Sequence, residues 1–430
     1  MTTKLLSELS TNISSGLTPL RSNPEFWDNG TIPWLKTEQL GEKYIYETNE
    51  HISKAALDKT SIKTFPENSL SIAMYGEGKT RGNLSILKKP MATNQACCNV
   101  VIDPEKADFE YVYYFLKTQY EELRNLSSGV RKNLNSNDIK NYPIRLPENL
   151  DEQKKIANVL KVLDTKIELN NRINIELEAM AKTLYEYWFV QFDFPDANGK
   201  PYKASGGKMV YNDTLKREIP EGWEVRPFSE HLTCNAKKLG KKHGYSEIQY
   251  LDTANLTKNV VDTLQPLVVS VDKIPSRANM IVSKNDILYS TVRPNQLHYG
   301  IITQPVENMV ASTGYSVLSH KSDSSINVLF YLHLTNEANT QRLIKISESS
   351  KSSYPSISPD DILSIDIALP KDGGAVDKAV GMLNPLFKKI SETQRENKEL
   401  ASLRDWLLPM LMNGQVTVKP STEPQEAQHG

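Results

Sequence analysis

At 430 residues, with 39% hydrophobic and 24% charged side chains, the chain has an ordinary globular composition and the length for about two or three domains with real cores. No apolar run approaches the ~18 residues of a membrane span, and the N-terminus MTTKLLSELSTN lacks the apolar core of a signal peptide, so a cytoplasmic location is expected. A formal net charge of −1 gives no global sign of a nucleic-acid partner, so any such surface has to be built from local clusters.

From the N-terminus to about residue 150, short runs rich in β-branched and aromatic residues alternate with turn signals such as Asp28-Asn29-Gly30, which predicts short strands. Lys79, Arg81, Lys88 and Lys89 lie in a stretch without an acid. Cys97, Cys98 and Cys234 are too few and too badly spaced for a disulfide framework or a zinc site and read as small buried thiols. The segment FEYVYYFLKTQYEELRNL reads as an amphipathic helix. A long helix follows from about Asp151 to Phe192: Ile156, Leu163, Asn170, Leu177 and Leu184 recur every seven residues, and Leu160, Ile167, Asn174, Ala181 and Trp188 fill the second seam position.

Residues 195–219 are polar and rich in Gly and Lys, the pattern of a linker. Beyond them lie a second basic run (Lys237, Lys238, Lys241, Lys242, His243) and a second amphipathic segment, INVLFYLHLTNEANTQRLIK. A second long helix is predicted from about Val376 to Met412, with Pro385 expected to kink it. The tail over 417–430 is expected to be disordered.

The order of these elements is itself repeated. LSTN at Leu9 to Asn12 returns as LTCN at Leu232 to Asn235, and Trp34 to Leu40 matches Tyr250 to Leu256. MATNQACCNVV matches MVASTGYSVL, and Leu134 to Pro147 matches Ile357 to Pro370. A period of about 220 residues is far above that of solenoids, so a whole domain with its helix is duplicated. At a constant offset of 223 residues the second helix presents Ala379, Leu386, Thr393, Leu400 and Leu407, with Leu383, Ile390, Asn397, Arg404 and Leu411. Both seams are apolar at the ends and polar in the middle. An antiparallel pair would set Asn170 and Asn174 against Thr393 and Asn397, a layer that fixes register. The expected fold is therefore mixed α+β: two similar α/β domains (1–150 and 220–372) and two long helices (151–194 and 373–416) forming an antiparallel coiled coil, in a pseudo-two-fold tandem repeat.

Catalytic signatures are scarce. AMYGEGKT, residues 73–80, matches a relaxed phosphate-loop pattern, but a helix would have to start at Lys79-Thr80, and the following sequence has Gly82 and β-like alternation. The second copy carries YSTVRPNQLHYG at that place. No methyltransferase tetrapeptide and no nucleophile–base pattern stands in a recognisable context.

What remains are polar, basic and aromatic residues at loop positions shared by both copies: Lys36, Thr37, Tyr75, Lys79, Arg81, Asn94, Gln95, Arg131, Lys132, Asn133 and Asn135 in the first, and Thr253, Arg293, Asn295, Gln296, Tyr299, Ser312, Thr313, Lys351, Ser352 and Tyr354 in the second. Arg, Asn and Gln can pair bidentately with base edges, whereas Lys, Ser and Thr more often hold phosphates. A diverged tandem pair would read an asymmetric, split DNA sequence where a homodimer would read a palindrome. A DNA-independent scaffold and a nucleotide-dependent enzyme using Gly78-Lys79-Thr80 are the competing readings; salt-dependent DNA binding and nucleotide-induced stabilisation separate the three.

From residue 1 to about 416 the chain resembles the specificity subunits of Type I restriction-modification systems. The resemblance is carried by Gly129 to Asn135 leading through Asp138-Ile139 into Pro143 to Pro147, by Asp151 to Ile156 opening the first long helix, and by LYEYWFVQFDFP, GGKMV and EIPEGWEV at the junction. The second copy departs from it, with KDGGAVDKAV after Pro370 in place of a Glu-Gln opening. The resemblance implies a non-catalytic subunit with two target-recognition domains that binds double-stranded DNA. It also implies two docked copies of an adenine methyltransferase subunit and a restriction/translocation subunit, with S-adenosylmethionine, ATP and magnesium belonging to those partners.

Overall fold

The computed structural model describes residues 1–76, 80–126, 133–240, 243–349 and 354–418. Its internal contacts fall into two units, Met1–Ile167 with Glu399–Gly430, and Glu168–Lys398, so each long helix contributes to both.

In the first unit a five-stranded sheet runs in the order Ser10–Ser15, Cys97–Ile102, Leu70–Ala73, Leu84–Leu87, Tyr44–Ile45. Leu70–Ala73 and Leu84–Leu87 are buried at every position, which suits the near-continuous apolar runs of central strands. A second sheet sets Ile32–Leu35 between Glu50–Ile52 and Ala92–Thr93, the last pairing being parallel. Thr2–Leu5 pairs antiparallel with Pro143–Leu146. Cys97 and Cys98 are fully buried, and burial pushes their thiols up to about 12 and about 11, far from the reactive range.

The second unit repeats the plan. Its main sheet runs Leu232–Cys234, Tyr315–His320, Asp286–Ser290, Tyr299–Ile302, and Glu247–Leu251 pairs in parallel with Met309–Ser312 in the other sheet. Trp223–Pro227 pairs with Asp366–Pro370 as Thr2–Leu5 does with Pro143–Leu146. Local chemistry repeats too. Asn135 and Asp138 form a capping box on the short helix Ser136–Lys140, and Ser358 and Asp361 form one on Pro359–Leu363. Part of the sequence signature around Asn135 and Asp138 is thus a helix start.

Each expected amphipathic helix is two helices. The first breaks at Gln119 between Phe109–Thr118 and Tyr120–Asn125. The second breaks at Thr335 and Asn336, where the Asn336 side chain accepts the Asn339 N–H at 2.8 Å and caps Glu337–Glu348.

The long helices are Leu150–Tyr185, continued by a π-turn over Glu186–Val190, and Gly374–Met412. The second helix is unbroken through Pro385. Within the second unit the two helices meet antiparallel through a buried polar layer. Asn170 donates to Glu396 at 2.8 Å and to Asn397 at 2.9 Å, Thr393 donates to Asn174, and Asn397 donates to Asn171 at 2.8 Å. In the first unit Arg404 of the second long helix reaches Asp164 of the first at 3.0 Å.

The stretch expected as a linker is ordered. Phe194 stacks on Tyr202 at 4.8 Å and on Trp223 at 5.1 Å, and Met209–Asn212 forms a hairpin with Arg217–Pro220. The tail from Pro420 lies outside the described residues.

Candidate nucleic-acid interface

Four loops of the first unit are joined by main-chain hydrogen bonds. The Asn94 N–H donates to the Leu35 carbonyl at 2.9 Å, the Met74 N–H to Ala96 at 2.8 Å, and the Leu134 N–H to Met74 at 3.2 Å. In the second unit the Thr291 N–H donates to Gly314 at 2.9 Å and the Ile357 N–H to Thr291 at 2.9 Å, the same two connections one repeat later. A Cβ on Gly314 would lie 2.9 Å from the Thr253 hydroxyl oxygen, so the absence of a side chain brings the fourth loop in. Predicted residues beside these bonds, among them Lys36, Tyr75, Gln95 and Asn133 in the first unit and Thr253 and Thr313 in the second, are thereby brought together within each unit.

Matching turns shape these loops. Asn94 accepts the Ala96 N–H at 3.2 Å through its side-chain oxygen, and Ser312 accepts the Gly314 N–H at 3.2 Å. Around this frame the first unit exposes Tyr75, Gln95 and Asn135, with Thr37, Arg81 and Asn133 half-buried. Gln95 accepts the Thr18 hydroxyl, and Asn135 spends its oxygen on the N–H groups of Asn137 and Asp138 at 2.8 and 3.0 Å, which leaves its amide NH₂ for another partner. Lys36 is 2.7 Å from both Glu38 and Glu50, and those hydrogen bonds hold its ammonium above the usual range; its charge is matched within the unit.

The second unit exposes Arg293, Asn295, Gln296, Thr313 and Tyr354, with Thr253 half-buried. Two expected members are corrected. Ser312 has no exposed surface and serves its own turn. Tyr299 lies in a strand, stacked on Tyr289 at 5.6 Å with Tyr331 edge-on at 6.3 Å, so packing accounts for it. Lys79, Arg131, Lys132, Lys351 and Ser352 lie outside the described residues. Sequence reading missed Arg277, exposed at the same edge, whose carbonyl accepts the Thr313 N–H at 2.8 Å. It precedes the strand Ala278–Ile281, whose counterpart in the first unit is reduced to the isolated antiparallel bridge between Phe65 and Met91.

Arg, Asn and Gln on a fixed frame can offer paired donors and acceptors to base edges. Among the described residues no group of three or more His, Cys, Asp or Glu could hold a metal ion. After Thr80 and Arg81 the chain enters the strand Leu84–Leu87 where a phosphate loop needs a helix. No helix among the described residues is long and apolar enough to cross a membrane.

Two tandem α/β units, each with a polar edge of hydrogen-bonded loops and each followed in sequence by a long helix, make a duplicated architecture. Residues 2–179 match the Type I restriction modification DNA specificity domain. The chain is 28% identical over 424 residues to the Type I restriction enzyme MjaIX specificity subunit of Methanocaldococcus jannaschii, covering 95% of this chain and 91% of that one. It is 27% identical over 187 residues to the EcoR124I/EcoR124II specificity subunit of Escherichia coli, covering 42% and 45% of the two. Its fold is similar to the crystal structure of a Type I restriction-modification system S subunit from M. genitalium, with a TM-score of 0.59, 17% identity and 95% of each chain covered. In sequence and in fold, nearly the whole chain is thus similar to Type I restriction-modification specificity subunits.

Proposed function

We propose that the chain reads an asymmetric two-part DNA site, one half-site per unit, and brings an adenine methyltransferase subunit in two copies and a restriction/translocation subunit to it. The observation that carries this reading is the repeated backbone frame with unlike side chains: Met74–Ala96 and Leu134–Met74 bonds in one unit, Thr291–Gly314 and Ile357–Thr291 in the other, under Gln95 and Tyr75 in the first and Arg293, Asn295 and Gln296 in the second. Equal frames with different readers fit unequal half-sites. The chain contributes address and geometry, while S-adenosylmethionine, ATP and magnesium are used by the partners. Support for docking comes from apolar side chains left exposed on the long helices, among them Val162, Leu169, Met180 and Trp406.

The test is duplex binding by the full chain together with its methyltransferase subunit, titrated across salt. The expected result is a specific complex whose affinity falls linearly in log–log with salt, on top of a preference for one sequence. Partner assembly without any DNA preference contributed by the chain would make it a scaffold.

A further inference from the structure

Arg293 and Leu297 both occupy the left-handed backbone region, with φ of 49° and 58°, on either side of the turn Pro294–Gln296. Neither is a residue that favours it, and the residue before a proline is ordinarily pushed to extended backbone. The neighbouring segments impose the conformation. The Arg293 N–H donates to the Pro355 carbonyl at 2.8 Å, the Lys258 N–H to Leu297 at 3.0 Å, and the Gln296 N–H to Arg293 at 2.9 Å. What this strain presents is not a core contact. Arg293, Asn295 and Gln296 are exposed, and the side chains of Asn295 and Gln296 hydrogen-bond to no described residue. The Arg293 guanidinium lies 5.4 Å from the centre of the Tyr354 ring. Strain that survives beneath exposed polar groups belongs to sites where geometry is used.

We propose that Arg293, Asn295 and Gln296 are the base-reading element of the second unit. Arg293 reads a guanine through its O6 and N7, Asn295 and Gln296 read adenine edges, and Tyr354 is a positioning residue that orients the guanidinium plane. The assignment rests on the proposed half-site reading. A phosphate contact tolerates a mobile side chain, but a bidentate base contact requires a fixed fork, and a loop clamped from residues 258 and 355 supplies that.

The experiment uses the full chain co-expressed with its methyltransferase subunit, with the methylated motif read at base resolution and duplex binding measured on single-base variants. Arg293→Lys keeps the charge and loses the fork. It is expected to lower the preference for guanine at one position of one half-site by roughly tenfold or more, leaving the other half-site unchanged. Gln296→Ala is expected to relax an adenine position of the same half-site. Tyr354→Leu should blunt the guanine preference and Tyr354→Phe restore it, which a purely structural tyrosine would not do. An unchanged motif in Arg293→Lys, or equal weakening on every sequence, overturns the assignment while the wild-type motif keeps the half-site reading intact. A wild-type complex with no chain-dependent motif overturns the half-site reading and this assignment with it.

Discussion

The two units seat their long-helix segments by different chemistry. In the first, Lys43 lies 2.8 Å from Glu110 and 3.3 Å from Asp164, Lys161 lies 3.2 Å from Glu110, and Arg404 lies 3.0 Å from Asp164. Tyr44 donates to Glu110 at 2.7 Å and Tyr114 donates to Asp164. In the second unit, 223 residues away in either direction, Phe387 stands for Asp164 and Ala181 for Arg404; both are buried, and Tyr331 meets Phe387 edge-on at 5.5 Å. The same seam is therefore closed by ions in one copy and by rings in the other. A buried ionic network gains little net stability, because desolvation offsets the attraction, but it fails badly when one member is lost. An apolar seam is stabilising outright and degrades in proportion to the volume removed.

The largest expected effects break each seam in its own way. Glu110→Ala leaves Lys43 and Lys161 short of a carboxylate and is expected to cost about 3–5 kcal/mol. Phe387→Ala opens a cavity and is expected to cost about 3–5 kcal/mol. Denaturant unfolding with hydrogen exchange assigned to each unit should show protection falling only in the unit that carries the change. Equal loss in both units would mean the seams are not independent.

Acid sharpens the contrast. His333 is buried in the second unit; its Nε2–H donates to the Asp366 carbonyl at 2.9 Å, so Nδ1 is left to accept the Tyr185 hydroxyl. Burial pushes its pKa down to about 4. A depressed histidine contributes stability that is complete above the unfolded value of 6.5 and is lost as pH falls towards 4, on the order of 3 kcal/mol over the window. In the first unit burial pushes Glu110 up, but Lys43 beside it more than offsets this and leaves the carboxyl below its usual range. Its contribution is complete above 4.5 and is lost only as pH falls through the lower folded value. The second unit should weaken first on acidification, and the advantage of wild type over His333→Gln should shrink by about 3 kcal/mol as pH falls from 6.5 to 4. A pH-independent difference would refute the assignment.

A smaller effect is expected at the polar layer of the second unit. Asn170→Leu leaves Glu396 and Asn397 without its amide and should cost about 1–3 kcal/mol. Thermal unfolding reads the loss, and a stabilised variant would show that the layer is held at a cost in stability.

The repeat, the two long helices and the polar layer were legible because each is a periodic pattern along the chain. The ionic seam was not: residues 43, 110, 161, 164 and 404 come from four separate segments, and no period links those segments. Ser312 and Tyr299 misled for a related reason. A strand that ends in a self-satisfied serine, or carries a half-buried tyrosine, shows the same polar and aromatic letters as a loop. The ordering of residues 195–219 depends on Phe194 and Trp223, which lie just outside the Gly/Lys-rich run that suggested a linker. The strain at Arg293 and Leu297 is set by bonds to residues 258 and 355 and leaves no mark in the local sequence.

The most direct test of two independent readers is methylation mapping in cells expressing the chain with its methyltransferase subunit, with each unit exchanged in turn for that of a relative. A split adenine-methylated motif in which each exchange changes one half alone is the predicted result. A motif in which either exchange alters both halves together would contradict it.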